Sequence, residues 1–201
     1  MSNTNEQTTS MIVHAEKSKT LLGFWIYLMT DCILFASLFA VYAVLHKNTF
    51  GGPSGQQLFS LPYALLQTLI LLTSSLTSGL SILSIRKNDI KKTIYWTIAT
   101  FGLGLSFLLL EINEFHKLYI EGNGWQRSGF LSSYFSLVGT HGLHILVGLI
   151  WMLILIIFIV KKGFTKKTVK GFTMLNIFWH FLDVIWIFIF SVVYLMGHVG
   201  L

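Results

Sequence analysis

The chain has 201 residues, of which 54% are hydrophobic and only 11% charged, and its formal net charge is +6. A water-soluble domain carries about a quarter charged residues, so this composition, with a mean hydropathy of +0.70, belongs to a protein built for lipid. Cys32 is the only cysteine, which excludes an internal disulfide framework and a cysteine-rich metal site.

In chain order, Met1 to Thr20 are polar and lack the basic-then-apolar plan of a cleaved leader. Residues 1–21 therefore read as a polar cytoplasmic N-terminal tail and 22–201 as the membrane domain. A hydrocarbon core of about 30 Å takes about 20 apolar residues in a helix. Five runs meet that length, at about 22–46, 62–85, 93–117, 130–160 and 172–197. The expected fold is all-α, a polytopic integral membrane bundle of five transmembrane helices.

The first span holds Asp31. The segment Phe50-Gly-Gly-Pro-Ser-Gly55 reads as a loop by its turn chemistry, and Pro62 suits the first turn of the second span, where its missing N–H costs nothing. That span contains Thr73, Ser74, Ser75, Thr77, Ser78, Gly79 and Ser81. Ser74/Ser78 and Ser75/Gly79 are small-xxx-small pairs that let a neighbouring helix approach closely, and the hydroxyls can fall back on carbonyls of the preceding turn. Tight packing explains the run better than a polar transport path. Glu111 and Glu114 come late in the third span, toward the outer surface and within reach of water. Glu121 to Gly129 and Lys161 to Gly171 read as breaks. The fourth span carries His141-Gly-Leu-His144 and the fifth Trp179-His-Phe-Leu-Asp-Val-Ile-Trp186. Trp25, Tyr63, Tyr95, Trp96 and Trp125 fall near span ends, as an interfacial aromatic belt requires.

Charge placement gives an orientation. Lys17, Lys19, Arg86, Lys87, Lys91, Lys92, Lys161, Lys162, Lys166, Lys167 and Lys170 share one side; Lys47, Lys117 and Arg127 occupy the other. Positive residues stay in the cytoplasm, so the N-terminus is expected inside and the C-terminus outside. The positive balance is thus a topology signal rather than a nucleic-acid footprint.

Ionisable groups in hydrocarbon are costly and normally face protein, a polar cavity or a metal. At about 1.5 Å per residue, Asp31 lies about 14 Å into the first span, His180 and Asp183 about 12–17 Å into the fifth, and His141 and His144 about 17–21 Å into the fourth. These depths overlap, and the i,i+3 spacing of each pair puts both side chains on one helix face. The residues alone leave three readings open: a hydrogen-bond network that fixes helix register, a proton relay through Asp31, Asp183 and His180, or a metal or haem site with imidazole ligands.

Three stretches carry a resemblance: Gly23-Phe-Trp-Ile-Tyr-Leu-Met-Thr-Asp-Cys-Ile-Leu-Phe35, Thr140-His-Gly-Leu-His144-Ile-Leu-Val-Gly148 and Phe178-Trp-His-Phe-Leu-Asp-Val-Ile-Trp186. Together they resemble subunit III of the haem-copper terminal oxidases. Gly51-Gly-Pro-Ser-Gly55, Arg127-Ser-Gly-Phe-Leu131 and Tyr194-Leu-Met-Gly197 are similar, more narrowly, to the cytochrome o ubiquinol oxidase branch.

The resemblance implies a non-catalytic subunit of a proton-pumping quinol oxidase in the bacterial cytoplasmic (inner) membrane. It implies no cofactor in this chain, haems and copper in partner subunit I, and contacts with subunit I, the other oxidase subunits and phospholipid. No nucleic acid and no soluble substrate of its own are expected. On this basis His141, His144, His180 and Asp183 are structural and the chain holds no metal. Asp31 matches the family's membrane-buried carboxylate and Glu114 the carboxylate two helices later. Longer members have seven helices; this chain matches the last five, and extra helices of subunit I are expected in the missing place. The alternative is a self-contained small transporter or proton channel, against which the spans lack the paired Gly/Pro interruptions of midplane sites.

Overall fold

The computed structural model describes residues 2–51, 58, 60–195 and 197, with side chains from Lys19 onward among them. Five long helices occur and, among the described residues, no strand: α1 (Ser2–Leu45), α2 (Leu61–Arg86), α3 (Ile90–Ile120), α4 (Gly129–Lys162) and α5 (Lys166–Ile189), the last continued by a π-helical segment, Phe190–Leu195. All five are long and apolar enough to cross a membrane, over Lys19–Leu45, Leu61–Arg86, Ile90–Ile120, Gly129–Lys162 and Lys166–Leu195. α1 begins well before the apolar run, so residues assigned to the tail share its helical backbone. The central part of the expected loop Phe50–Gly55, including Pro53, lies outside the described residues.

The helix ends follow from local chemistry. Pro62 occupies the first turn of α2 behind the N-cap Ser60. α2 stops at Arg86, and Asn88 turns the chain in the left-handed region at φ 58°, where a short amide side chain is tolerated. Asp89 then caps α3 by accepting from the Lys92 amide at 3.1 Å. That amide, with the Lys92 ammonium 3.2 Å away, holds the Asp89 carboxyl below its usual range. Ser128 caps α4 through the Leu131 amide, and Gly163 ends it at φ 65°.

Thr165 caps α5 by accepting from the Thr168 amide at 3.1 Å. The helix therefore starts at Lys166 rather than near 172, and the break expected over Lys161–Gly171 shrinks to Gly163–Thr165. Lys166, Lys167 and Lys170 made 166–171 look like loop; an N-cap threonine starts the helix regardless.

Two compact units divide the chain, 1–36 and 37–201. In the first, Thr30 Oγ1 donates back to the Tyr27 carbonyl at 2.6 Å, the Phe24 and Tyr27 rings lie 6.2 Å apart, and the Tyr27 hydroxyl engages Asp31 one turn on. In the second, α2 packs on α3 and α5, and α4 packs on α3 and α5, closing a four-membered ring of helices. The end of α1 joins that unit through Tyr42 against Phe130 and Phe39 against Phe188.

Candidate functional site

The interior of the ring is held by polar contacts between α2 and its two neighbours. Toward α3, Thr77 and Thr100 hydroxyls meet at 2.8 Å, as do Ser81 and Thr97. Toward α5, four α2 hydroxyls take side chains in antiparallel order. Trp186 Nε1 donates to Thr68 (3.1 Å), Trp179 Nε1 to Ser74 (2.9 Å), His180 Nδ1 pairs with Ser75, and Asn176 Nδ2 donates to Ser78 (2.7 Å). Several of the hydroxyls also use their own helix, Thr68 on Ala64 and Thr77 on Ser74. The serine-rich run thus packs and bonds on two faces. Ser74 and Ser78 are buried in this seam, whereas Gly79 is exposed and a Cβ there would meet nothing within 4 Å. The Ser75/Gly79 pair therefore does not seat a helix of the ring, a correction to the packing expected from its spacing.

Trp179 joins all four helices. Its ring is fully buried between two glycines: a Cβ at Gly104 of α3 would lie 2.7 Å from Cη2, and one at Gly148 of α4 2.9 Å from Cζ3. With its Nε1 on Ser74, this α5 side chain contacts α2, α3 and α4. Two turns further along α5, Trp186 is packed edge-on by Phe107 (4.7 Å) and face-on by His141 (5.3 Å). His141 is completely buried, with the Phe107 ring 5.9 Å away edge-on and the Trp186 ring stacked on it.

The remaining candidates separate. His144, half-buried, turns Nδ1 to the Thr140 carbonyl at 2.7 Å. His180 and Asp183 come together, Nδ1 to Oδ2 at 3.7 Å, with Asp183 buried. Asp31 lies in the first unit with Tyr27. Glu114 accepts from the Tyr194 hydroxyl at 3.3 Å, and that hydroxyl accepts in turn from Tyr134 at 3.0 Å. Among the described residues no three His, Cys, Asp or Glu side chains converge as a metal site would require.

Three features lie beyond the sequence reading. Glu111, expected within reach of water, is 2% exposed, with its carboxyl against Gly142 of α4. It continues the buried face of Thr93, Thr97, Thr100 and Gly104, a stripe of small and polar residues that marks the protein side of α3. Gln67 is fully buried beside Glu114. The π segment is the third: it carries the Tyr194 hydroxyl that meets Glu114, and no sequence signal announces such a bulge.

These observations define a class: a multi-pass α-helical membrane protein with a hydroxyl-rich seam at its centre. The chain matches the family described as cytochrome c oxidase subunit III over residues 5–198. It is 54% identical over 184 residues to the "Cytochrome bo(3) ubiquinol oxidase subunit 3" of Pseudomonas aeruginosa, covering 92% of this chain and 88% of that one. It is 46% identical to the "Cytochrome c oxidase subunit 3" of Bacillus sp. (strain PS3), covering 92% and 89%. It is 42% identical to the "Quinol oxidase subunit 3" of Bacillus subtilis (strain 168), covering 90% and 89%. The chain belongs to the cytochrome c oxidase subunit III family.

Proposed function

We propose that this chain is the non-catalytic third subunit of a proton-pumping ubiquinol oxidase in a bacterial inner membrane, with its N-terminus in the cytoplasm. It docks on the haem- and copper-bearing subunit I, stabilises the assembly and supports sustained proton uptake by that partner. The observation that carries the reading is the 54% identity over nearly the whole chain to a relative named as such a subunit. The geometry supports a scaffold: hydroxyl, amide, indole and imidazole groups of the α2–α5 seam engage one another. In this reading Asp31, Glu114, His141, His144, His180 and Asp183 keep the helices in register, and Asp31 biases hydration near the partner's proton entrance. Phospholipid covers the outer faces that no partner subunit occupies.

The test is purification of the tagged chain in mild detergent, with visible spectra and quinol-driven oxygen uptake on the eluate, beside the same chain expressed without partners. The expected result is a larger haem-bearing subunit that consumes oxygen, and a colourless lone chain. Haem bound by the lone chain, or a stable homo-oligomer that moves protons without oxidase activity, overturns it. Asp31→Asn is expected to leave assembly intact while turnover decays faster under load; unchanged decay removes the proton-uptake part.

A further inference from the structure

The α2–α5 seam reaches the surface at His180, and it does so at the wrong depth for lipid. His180 stands half-way along Lys166–Leu195 and Ser75 half-way along Leu61–Arg86, which places both near the bilayer centre. The His180 side chain is nevertheless 46% exposed. Its Nδ1 is turned to Ser75 and Asp183, so Nε2 is the ring nitrogen left for the surface. Behind it, Asp183 is 6% exposed, and neither of its oxygens has a hydrogen bond among the described residues. One turn along α2 from Ser75, Gly79 opens onto space. Leu72, Leu76 and Leu83 on α2 and Val184 on α5 are exposed around it.

Acyl chains can satisfy neither an imidazole nitrogen nor the carboxylate behind it, and polar groups at this depth normally face protein. A small-residue notch with leucine walls suits a helix, whose backbone can approach where a Cβ is missing. Polar complementarity selects the occupant. The tautomer protonated on Nδ1 is the one that can donate to the acceptors facing that nitrogen, and in it Nε2 is an acceptor. A second copy meeting face to face would set acceptor against acceptor.

We propose that the Ser75–Gly79 notch with His180 receives a transmembrane helix of another subunit, one that places a hydrogen-bond donor side chain against His180 Nε2. This rests on the reading of the chain as one subunit of an oxidase complex, and it names the face that docks.

The experiment places a benzoylphenylalanine photocrosslinker at Leu76, and at the exposed Leu143 of α4 as control, in membranes holding the whole complex. The expected adduct joins position 76, and not 143, to the larger subunit. Adducts with lipid alone, with residues of this chain's own α1 or with a second copy overturn the proposal while the subunit reading stands. A wild-type chain that recovers no haem-bearing partner overturns both. As a second readout, Gly79→Leu fills the notch and is expected to lower recovery of assembled complex about tenfold, with Gly79→Ala retaining most of it. Because no described residue lies within 4 Å of a Cβ at Gly79, the melting temperature of the isolated chain should not fall; a matching fall assigns the loss to folding and overturns the docking role.

Discussion

At the scale of single residues, Trp179 is the side chain on which the others depend. It fills the gap that Gly104 and Gly148 leave and hydrogen-bonds Ser74 across the seam. Gly104→Ala would push a methyl to 2.7 Å from the indole, and over-packing of this kind costs about 1–3 kcal/mol. Gly102→Ala, two residues away with nothing within 4 Å, should be neutral or slightly stabilising. Thermal melts of the two variants in detergent check the contrast; equal melting temperatures would sink the wedge. Gly142→Ala belongs between them, because the atom in its way is the mobile Glu111 carboxyl end. His180→Leu removes an ionisable neighbour of buried Asp183 and should lower the yield of assembled complex, since leaving one partner of a buried pair alone is strongly destabilising. Of these residues His180 and Asp183 were legible in the sequence as a pair, from their i,i+3 spacing. Trp179 was legible only as part of a motif, because what makes it central is two glycines on other helices.

At the scale of elements, α2 uses hydroxyls the way a soluble helix uses leucines. Lipid gives helices little hydrophobic reason to associate, so close approach and interhelical hydrogen bonds do that work. The Thr77–Thr100 pair offers a direct measure: a double-mutant cycle with Thr77→Ala and Thr100→Ala should give a coupling of about 0.6 kcal/mol, typical of interhelical bonds in membranes. Thr68→Ala and Ser74→Ala each strip an indole N–H of its acceptor, and each should cost about 1 kcal/mol. The run of small polar residues predicted contact, yet it could not say that Thr77 and Ser81 face α3 while Ser74 and Ser78 face α5. Caps were easier to read once seen: Asp89, Ser128 and Thr165 each precede their helix. Asp89 is exposed and its carboxyl is held low, so its capping is present above the ordinary aspartate range and is lost as pH falls through the lowered value. Amide exchange at Lys92 should speed up in that acid range and not before.

At the scale of the molecule, α2 to α5 close a ring, and the loops that join them are short. All five spans were legible from length and apolarity, because a helix that satisfies its own backbone is the structure lipid permits. Their mutual arrangement was not, since apolar faces turned to lipid and to protein look alike in sequence. With polar side chains at the bilayer centre on an outer face, the chain by itself should be poorly stable. The isolated chain is expected to melt well below the assembled complex in the same detergent, and equal melting would argue for a self-sufficient protein.

The seam also has a consequence for the order in which a ribosome delivers it. Its acceptors on α2 enter the membrane long before its donors on α5 have been made. Serine and threonine tolerate that delay, since a hydroxyl can borrow a carbonyl from its own helix, as Thr68 still does with Ala64. The tryptophans, histidine and asparagine, whose partners lie across the seam, arrive last, when their acceptors are already in place. The allocation of residue types between the two helices therefore lets each half of the seam cross the translocon without stranding an unsatisfied group in lipid.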